Sequence, residues 1–229
     1  FLFDWQEIFD GDSFAFDYHM MWDLYRDYSN MGLSRILHKD IRALKKLGIN
    51  GNISCQVQRS FFPNGICMYI MGRTLFDTSL SYSQITEDYF KSAYGKCSDI
   101  AKEYLEKISL LVPHKYMRYE IPMIDKETAD NFEESIKMLR DYREMFHIGL
   151  SPITDNRKLM LEILILSTEI FEELFTMFKM KASGVPKDDI MKIWSNYSRK
   201  LDSQEIKLAD VLDMYYFKMI SKGLLEHVW

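Results

Sequence analysis

The fold turns on "SFAFDYHM" (residues 13–20), "LSRILHKDIRALKKLG" (33–48) and "NISCQVQ" (52–58). In the first, Phe14, Phe16 and Tyr18 alternate with Ala15, Asp17 and His19, the period of two of a β-strand. The second sets Leu33, Ile36, Leu37, Ile41, Leu44 and Leu47 on one helical stripe. Lys45 and Lys46 complement the helix dipole, and Gly48 ends the helix. The third alternates again, with Ile53, Cys55 and Val57 against Asn52, Ser54, Gln56 and Gln58. Strand, helix and strand with short links form a βαβ unit, so the two strands are expected to be parallel.

The remainder reads almost wholly helical. Ser81 with Gln84 makes a capping box, flanked by Leu80 and Ile85 as a hydrophobic staple. That helix is expected to stop at Gly95, and the next at Pro113. Ala129, Phe132, Ile136, Leu139 and Phe146 follow bundle spacing over 126–147. A long helix is expected from about Arg157 to Lys181, stopped by Gly184. Asp202 with Glu205 is read as a second capping box, opening the last helix. The division is therefore 1–65, a βαβ portion, and 66–229, a helical domain. The chain is expected to be mostly α with a small α/β part, the last βαβ unit of a (β/α)8-type barrel followed by an antiparallel helical domain.

The 229 residues suffice for one large domain or two small ones. A net charge of −5, with no run of basic residues, argues against a nucleic-acid partner. The most apolar window, 159–178, carries Glu162, Glu169, Glu172 and Glu173, which speaks against a membrane span. The acidic start at Phe1 does not resemble a signal peptide. Cys55, Cys67 and Cys97 fit no zinc or redox spacing, and free thiols in a cytoplasmic compartment are expected. The five histidines show no paired metal spacing, so neither metal nor cofactor is expected.

One polar face per strand admits two explanations. The face is solvated, as in an open sheet, or it lines a barrel interior. In the barrel case Phe14, Phe16, Ile53 and Val57 face the outer helices. Asp17, His19, Asn52, Ser54, Gln56 and Gln58 then face inward. Active sites of such barrels lie at the C-terminal strand ends. Those ends gather His19, Trp22, Asp23, Gln56, Gln58 and Arg59 as candidate substrate-binding residues. Aromatic rings beside amides, Asp and Arg suit a sugar, and Arg59 could hold an acidic sugar's carboxylate in bidentate fashion. The bland alternatives are a structural His19, a core-packing Trp22, and an Arg59 paired with Asp23 or Asp77.

The runs "GDSFAFDYHMMWDLYRD" and "LHKDIRALKKLGINGNISCQVQRSFFPNGICMYIMGRTLFDTSLSYSQITEDYF" resemble an uncharacterised bacterial domain-of-unknown-function family found in large glycoside-hydrolase-like proteins. The resemblance spans residues 10 to about 95. It implies a barrel similar to those of α-glucuronidases and β-hexosaminidases, followed by a helical domain. This chain would hold the last two barrel strands, and the N-terminal strands of a parent chain would be its partner. The function so implied is one wall of a sugar-binding pocket in a carbohydrate-active protein. The rivals are a non-catalytic carbohydrate-binding protein on the same scaffold and a helical interaction module.

Hydrolysis needs two carboxylates placed across the scissile bond. Asp17 and Asp23 come from one strand region, so no catalytic residue is assigned. The purified chain is expected to turn over none of a panel of aryl glycosides and glucuronides. Turnover abolished by Asp17→Asn or Asp23→Asn would overturn this.

Overall fold

Helix formation dominates because the chain repeats apolar residues at three-four spacing and holds few glycines and prolines. The structure, a computed structural model, describes residues 2–9, 11–150, 153 and 155–227, without the side chain of Trp22. After a short helix α1 (Leu2–Gln6), strand β1 (Ser13–Asp17) leads through a 3-10 turn to helix α2 (Met31–Leu44) and strand β2 (Ile49–Ser54). Then follow α3 (Ile66–Phe76), α4 (Tyr82–Tyr94), α5 (Ser98–Leu111), α6 (His114–Met117), α7 (Lys126–Leu150), α8 (Arg157–Ala182), α9 (Lys187–Leu208) and α10 (Met214–Glu226). The protein is mostly helical, with one small parallel sheet.

β1 and β2 pair in parallel, Phe14 opposite Gly51 and Asp17 opposite Ser54. The pairing runs on past the strands, since Cys55 N donates to Asp17 O (2.9 Å) and Val57 N to Met20 O (3.0 Å). The direction matches the βαβ expectation; the burial of the faces does not. Phe14, Phe16 and Ile53 are 63%, 53% and 48% exposed, whereas Ala15, Asp17, Asn52 and Ser54 are half-buried. The polar face, not the apolar one, is turned toward α2: His19, just past β1, reaches Asp40 on that helix. Of the four residues expected against helices, only Val57 is buried.

Helix punctuation follows the sequence closely. Ser81 and Gln84 make the reciprocal capping box of α4. Gly95 and Gly184 take positive φ at the ends of α4 and α8 (55° and 79°), a conformation glycine adopts without penalty. The Asp202–Glu205 box does not form. α9 runs straight through it, because Leu201 and Leu208 continue its buried stripe. Asp202 instead pairs with Lys218 on α10 (2.7 Å). The break comes at Asp213, whose carboxylate accepts from Tyr216 N and caps α10.

One aromatic core runs across the expected division at residue 65. Tyr28, ahead of α2, meets Phe171 and Phe175 edge-on at 5.1 Å each, with Phe178 at 6.2 Å. Tyr25 and Phe62 both pack on Phe217 of α10. Among the described residues no helix is long and apolar enough to cross a membrane.

Tyr28 is 2% exposed, so its removal empties a site that α8 cannot collapse into. Tyr28→Ala should cost about 3–5 kcal/mol in urea unfolding. Tyr28→Phe, which keeps the ring, should cost under about 1.5 kcal/mol. Equal losses for the two variants would place the stabilisation in the hydroxyl instead.

Candidate functional site

A buried carboxylate organises the segment between β1 and α2. Asp27 is 6% exposed and accepts from Leu33 N (2.7 Å), Ser29 Oγ (2.8 Å) and Ser29 N (3.2 Å). Ser29 Oγ in turn accepts from Met31 N (3.0 Å). The N-cap residue, Asn30, sits in the left-handed region (φ 62°) and makes no side-chain cap. Asp27 and Ser29 therefore take over the orphan N–H groups of α2, and a negative charge at a helix N-terminus is favourable. The Asn30 amide is turned away, donating to Phe62 O and Asn64 O, and Asn64 donates back to Ser29 O.

Beside this cap lies a cavity of about 530 Å³. Its polar lining is His19, Asp23, Arg26, Asp27, His114 and Arg118. Leu33 and Ile36 of α2 supply an apolar wall. Gly32 marks where the first turn of α2 meets the floor: a Cβ there would stand 3.1 Å from Asp27 Oδ2 and 3.4 Å from His114 Nε2. Any side chain at 32 would thus press on both groups.

Two guanidiniums share one carboxylate. Asp23 lies 3.9 Å from Arg26 Nη1 and 3.7 Å from Arg118 Nη2, both long contacts. Arg26 Nε is buried without a hydrogen-bond partner among the described residues, and its guanidinium lies over the Tyr119 ring, 5.7 Å from the centroid. Tyr119 itself holds a positive φ of 60°. At the opposite side His19 stands between two acids, Nδ1 3.0 Å from Asp17 Oδ1 and Nε2 3.0 Å from Asp40 Oδ2. Burial by itself would lower the His19 pKa, but the Asp40 and Asp17 carboxylates outweigh it and raise it above the usual 6.5.

The six sequence-predicted residues separate. His19 and Asp23 line the cavity, and the side chain of Trp22 lies outside the described residues. Gln56, Gln58 and Arg59 are exposed and do not line it. Gln58 N donates to Asp213 Oδ2 (3.1 Å), and Arg59 Nη1 reaches only Gln58 Oε1 (3.4 Å) among the hydrogen bonds of the described residues. The β2 exit is thus tied to α10, away from the cavity lining. Sequence reasoning missed Arg26, Asp27, His114 and Arg118. The "DYSN" run at 27–30, ahead of an apolar helical stripe, carried a legible capping signal for Asp27. His114 and Arg118 gave none, since only tertiary folding brings α6 to the start of α2.

Among the described residues no cluster of three or more His, Cys, Asp or Glu could hold a metal ion. Cys55, Cys67 and Cys97 are free thiols. No family model matches the chain, and no curated protein or solved structure matches it.

Because His19 has a raised pKa, the stability its charge contributes is full below pH 6.5 and fades as pH rises through the raised value. An NMR titration should place the His19 transition above 6.5, and Asp40→Asn should lower it. The variant should lose stability at about pH 5.5 and little at about pH 9. An equal loss at both pH values would show that Asp40 acts on packing rather than on the imidazolium.

Proposed function

We propose that the chain is the carbohydrate-binding portion of a glycoside-hydrolase-like protein, and that its cavity takes an acidic sugar. The observation that carries this is the pair Arg26 and Arg118 sharing Asp23 at long range. The Asp27 carboxylate is taken up by Ser29 and Leu33, so the two guanidiniums face Asp23 alone and keep N–H groups for a second anion, and planar guanidinium suits a sugar carboxylate. Asp23 and His114 supply acceptors and donors for hydroxyls, while Leu33 and Ile36 offer a surface for C–H faces.

In this proposal β1, α2 and β2 are the last βαβ unit of a (β/α)8-type barrel, and the helices from α3 onward are an antiparallel domain packed behind it. Two features support it. The strands are parallel with a helical crossover, and a two-stranded sheet is marginal without neighbours. Its Phe14, Phe16 and Ile53 face also stands open, which further strands of a parent chain would cover. Catalytic carboxylates belong to those strands, because Asp17 is engaged by His19 and Ser54 and Asp23 by two arginines. The proposed compartment is the cytoplasm, to which three free thiols are suited.

The test is calorimetric titration of an oligosaccharide ending in glucuronic acid, against its neutral glucose-ended counterpart. The acidic ligand should bind and the neutral one at least tenfold more weakly. Arg118→Ala, which removes a charge-assisted hydrogen bond of about 1.5–3 kcal/mol, should cost roughly tenfold or more in affinity. Arg59→Ala should leave affinity unchanged. Loss on Arg59→Ala with Arg118→Ala silent would move the sugar to the β2 exit and sink the cavity assignment.

A further inference from the structure

A second cavity lies where α8 ends, α9 begins and α10 ends. Its volume is about 200 Å³. Three basic groups line it: Lys181, Lys187 and His227; among the described residues no carboxylate side chain does. The rest of the wall is apolar, with Ile124, Val185 and Leu225 as its main surfaces.

Lys181 is the unusual member. It occupies the last turn of α8 and is 7% exposed. Its Nζ donates to the Leu224 carbonyl in the last turn of α10 and lies 5.8 Å from the Tyr116 ring centroid. Among the described residues no carboxylate pairs with it, whereas Lys179, two positions earlier, pairs with Glu133. An ammonium has three N–H donors, and one carbonyl satisfies one of them. A buried cation without a counter-charge is costly, and Lys187 nearby adds repulsion. Burial first, then Lys187, lowers the Lys181 pKa to about 8. Burial and Lys181 likewise lower that of His227, and burial, then the Asp125 carboxylate, which accepts from Thr128 N (2.7 Å), raises that of Tyr116, so neither becomes charged between pH 7 and 9.

We infer that this cavity binds a small aliphatic monocarboxylate, its carboxylate on Lys181 and Lys187 and its alkyl body against Ile124, Val185 and Leu225. One negative charge supplies the missing counter-ion. The apolar wall excludes a fully hydrated anion such as phosphate, and the volume excludes a long chain. Binding draws a proton onto Lys181, so affinity is full below about pH 8 and falls as pH rises above it. The only acids on the first turn of α9 are Asp188 and Asp189, and Asp189 is paired with Lys192 (2.8 Å).

Butyrate titrated into the full chain is the direct probe, with 1-butanol and inorganic phosphate as controls, followed by methyl NMR and calorimetry. Butyrate should give saturable shifts at the Val185 and Leu225 methyls, and neither control should match its affinity within tenfold. Its affinity should fall at least tenfold between about pH 7 and about pH 10. Lys181→Met should abolish binding without lowering the melting temperature, because an apolar side chain of similar length replaces an unpaired cation. Lys187→Ala alters an exposed residue, so it stays folded whatever Lys181→Met does, and it should weaken butyrate several-fold. Unshifted methyls, equal binding of phosphate, or a Lys187→Ala variant that binds as the parent does would each overturn the inference.

Discussion

The Asp27 carboxylate is the constraint on which the rest depends. A buried charge is tolerated only when hydrogen bonds replace its water, and Asp27 has three, all from residues 29 and 33. Those bonds start α2, because they supply the partner for Leu33 N and orient Ser29 toward Met31 N. Without them several donors would be orphaned in a buried place, at about 1–3 kcal/mol each. The start of α2 also fixes where Asn30 points, and Asn30 with Asn64 fastens this segment to the entry of α3. One carboxylate therefore sets the N-terminus of the crossover helix, the floor of the larger cavity and the attachment of the α/β part to the helices.

That attachment is polar at the edge and aromatic at the centre. Tyr25 and Tyr28 flank Asp27 in sequence and both are buried against the late helices. Edge-to-face rings contribute about 0.5–1.5 kcal/mol each beyond their buried area. Their rigidity reaches the cavity: Asp23 and Arg26 are carried on the turn whose buried rings are anchored in α8 and α10. A site built this way is held by packing rather than by a loop.

Much of the architecture was legible. Parallel pairing followed from strand, helix and strand with short links, and Ser81, Gly95 and Gly184 ended or began helices where local chemistry required. Local rules failed where a tertiary contact outweighed them. Asp202 and Glu205 have capping-box spacing, but burial of Leu201 and Leu208 keeps α9 continuous. The strand faces were separated correctly, yet the alternation carries no sign of which side the helix covers. His19 and Asp40 decide that, through a contact no periodicity encodes. The candidate site was legible along one strand exit, as His19 and Asp23, and at the start of α2, where "DYSN" carries the capping signal of Asp27. Its other half comes from α6 and the turn after it, where "HKYMRYE" shows no pattern that points to a cavity.

That turn also stores strain. A tyrosine in the left-handed region costs about 1–2 kcal/mol relative to ordinary backbone, so its neighbours must hold it there. Tyr119 is held from two sides, by the Arg26 guanidinium at 5.7 Å and by the His227 ring at 3.8 Å between centroids. Arg118, the residue before it, is held by the end of α6, its N–H donating to the His114 carbonyl (3.1 Å), and its guanidinium lies 3.7 Å from Asp23. A relaxed backbone at 119 would shift the Tyr119 ring and take from Arg26 the aromatic face it lies over. The strained residue is therefore a support of the Arg26 guanidinium in the larger cavity. It also touches the lining of both cavities, through Arg26 in one and His227 in the other. Movement of His227 in the smaller cavity would remove one of the two contacts that keep the Tyr119 ring, and hence the surface under Arg26, in place.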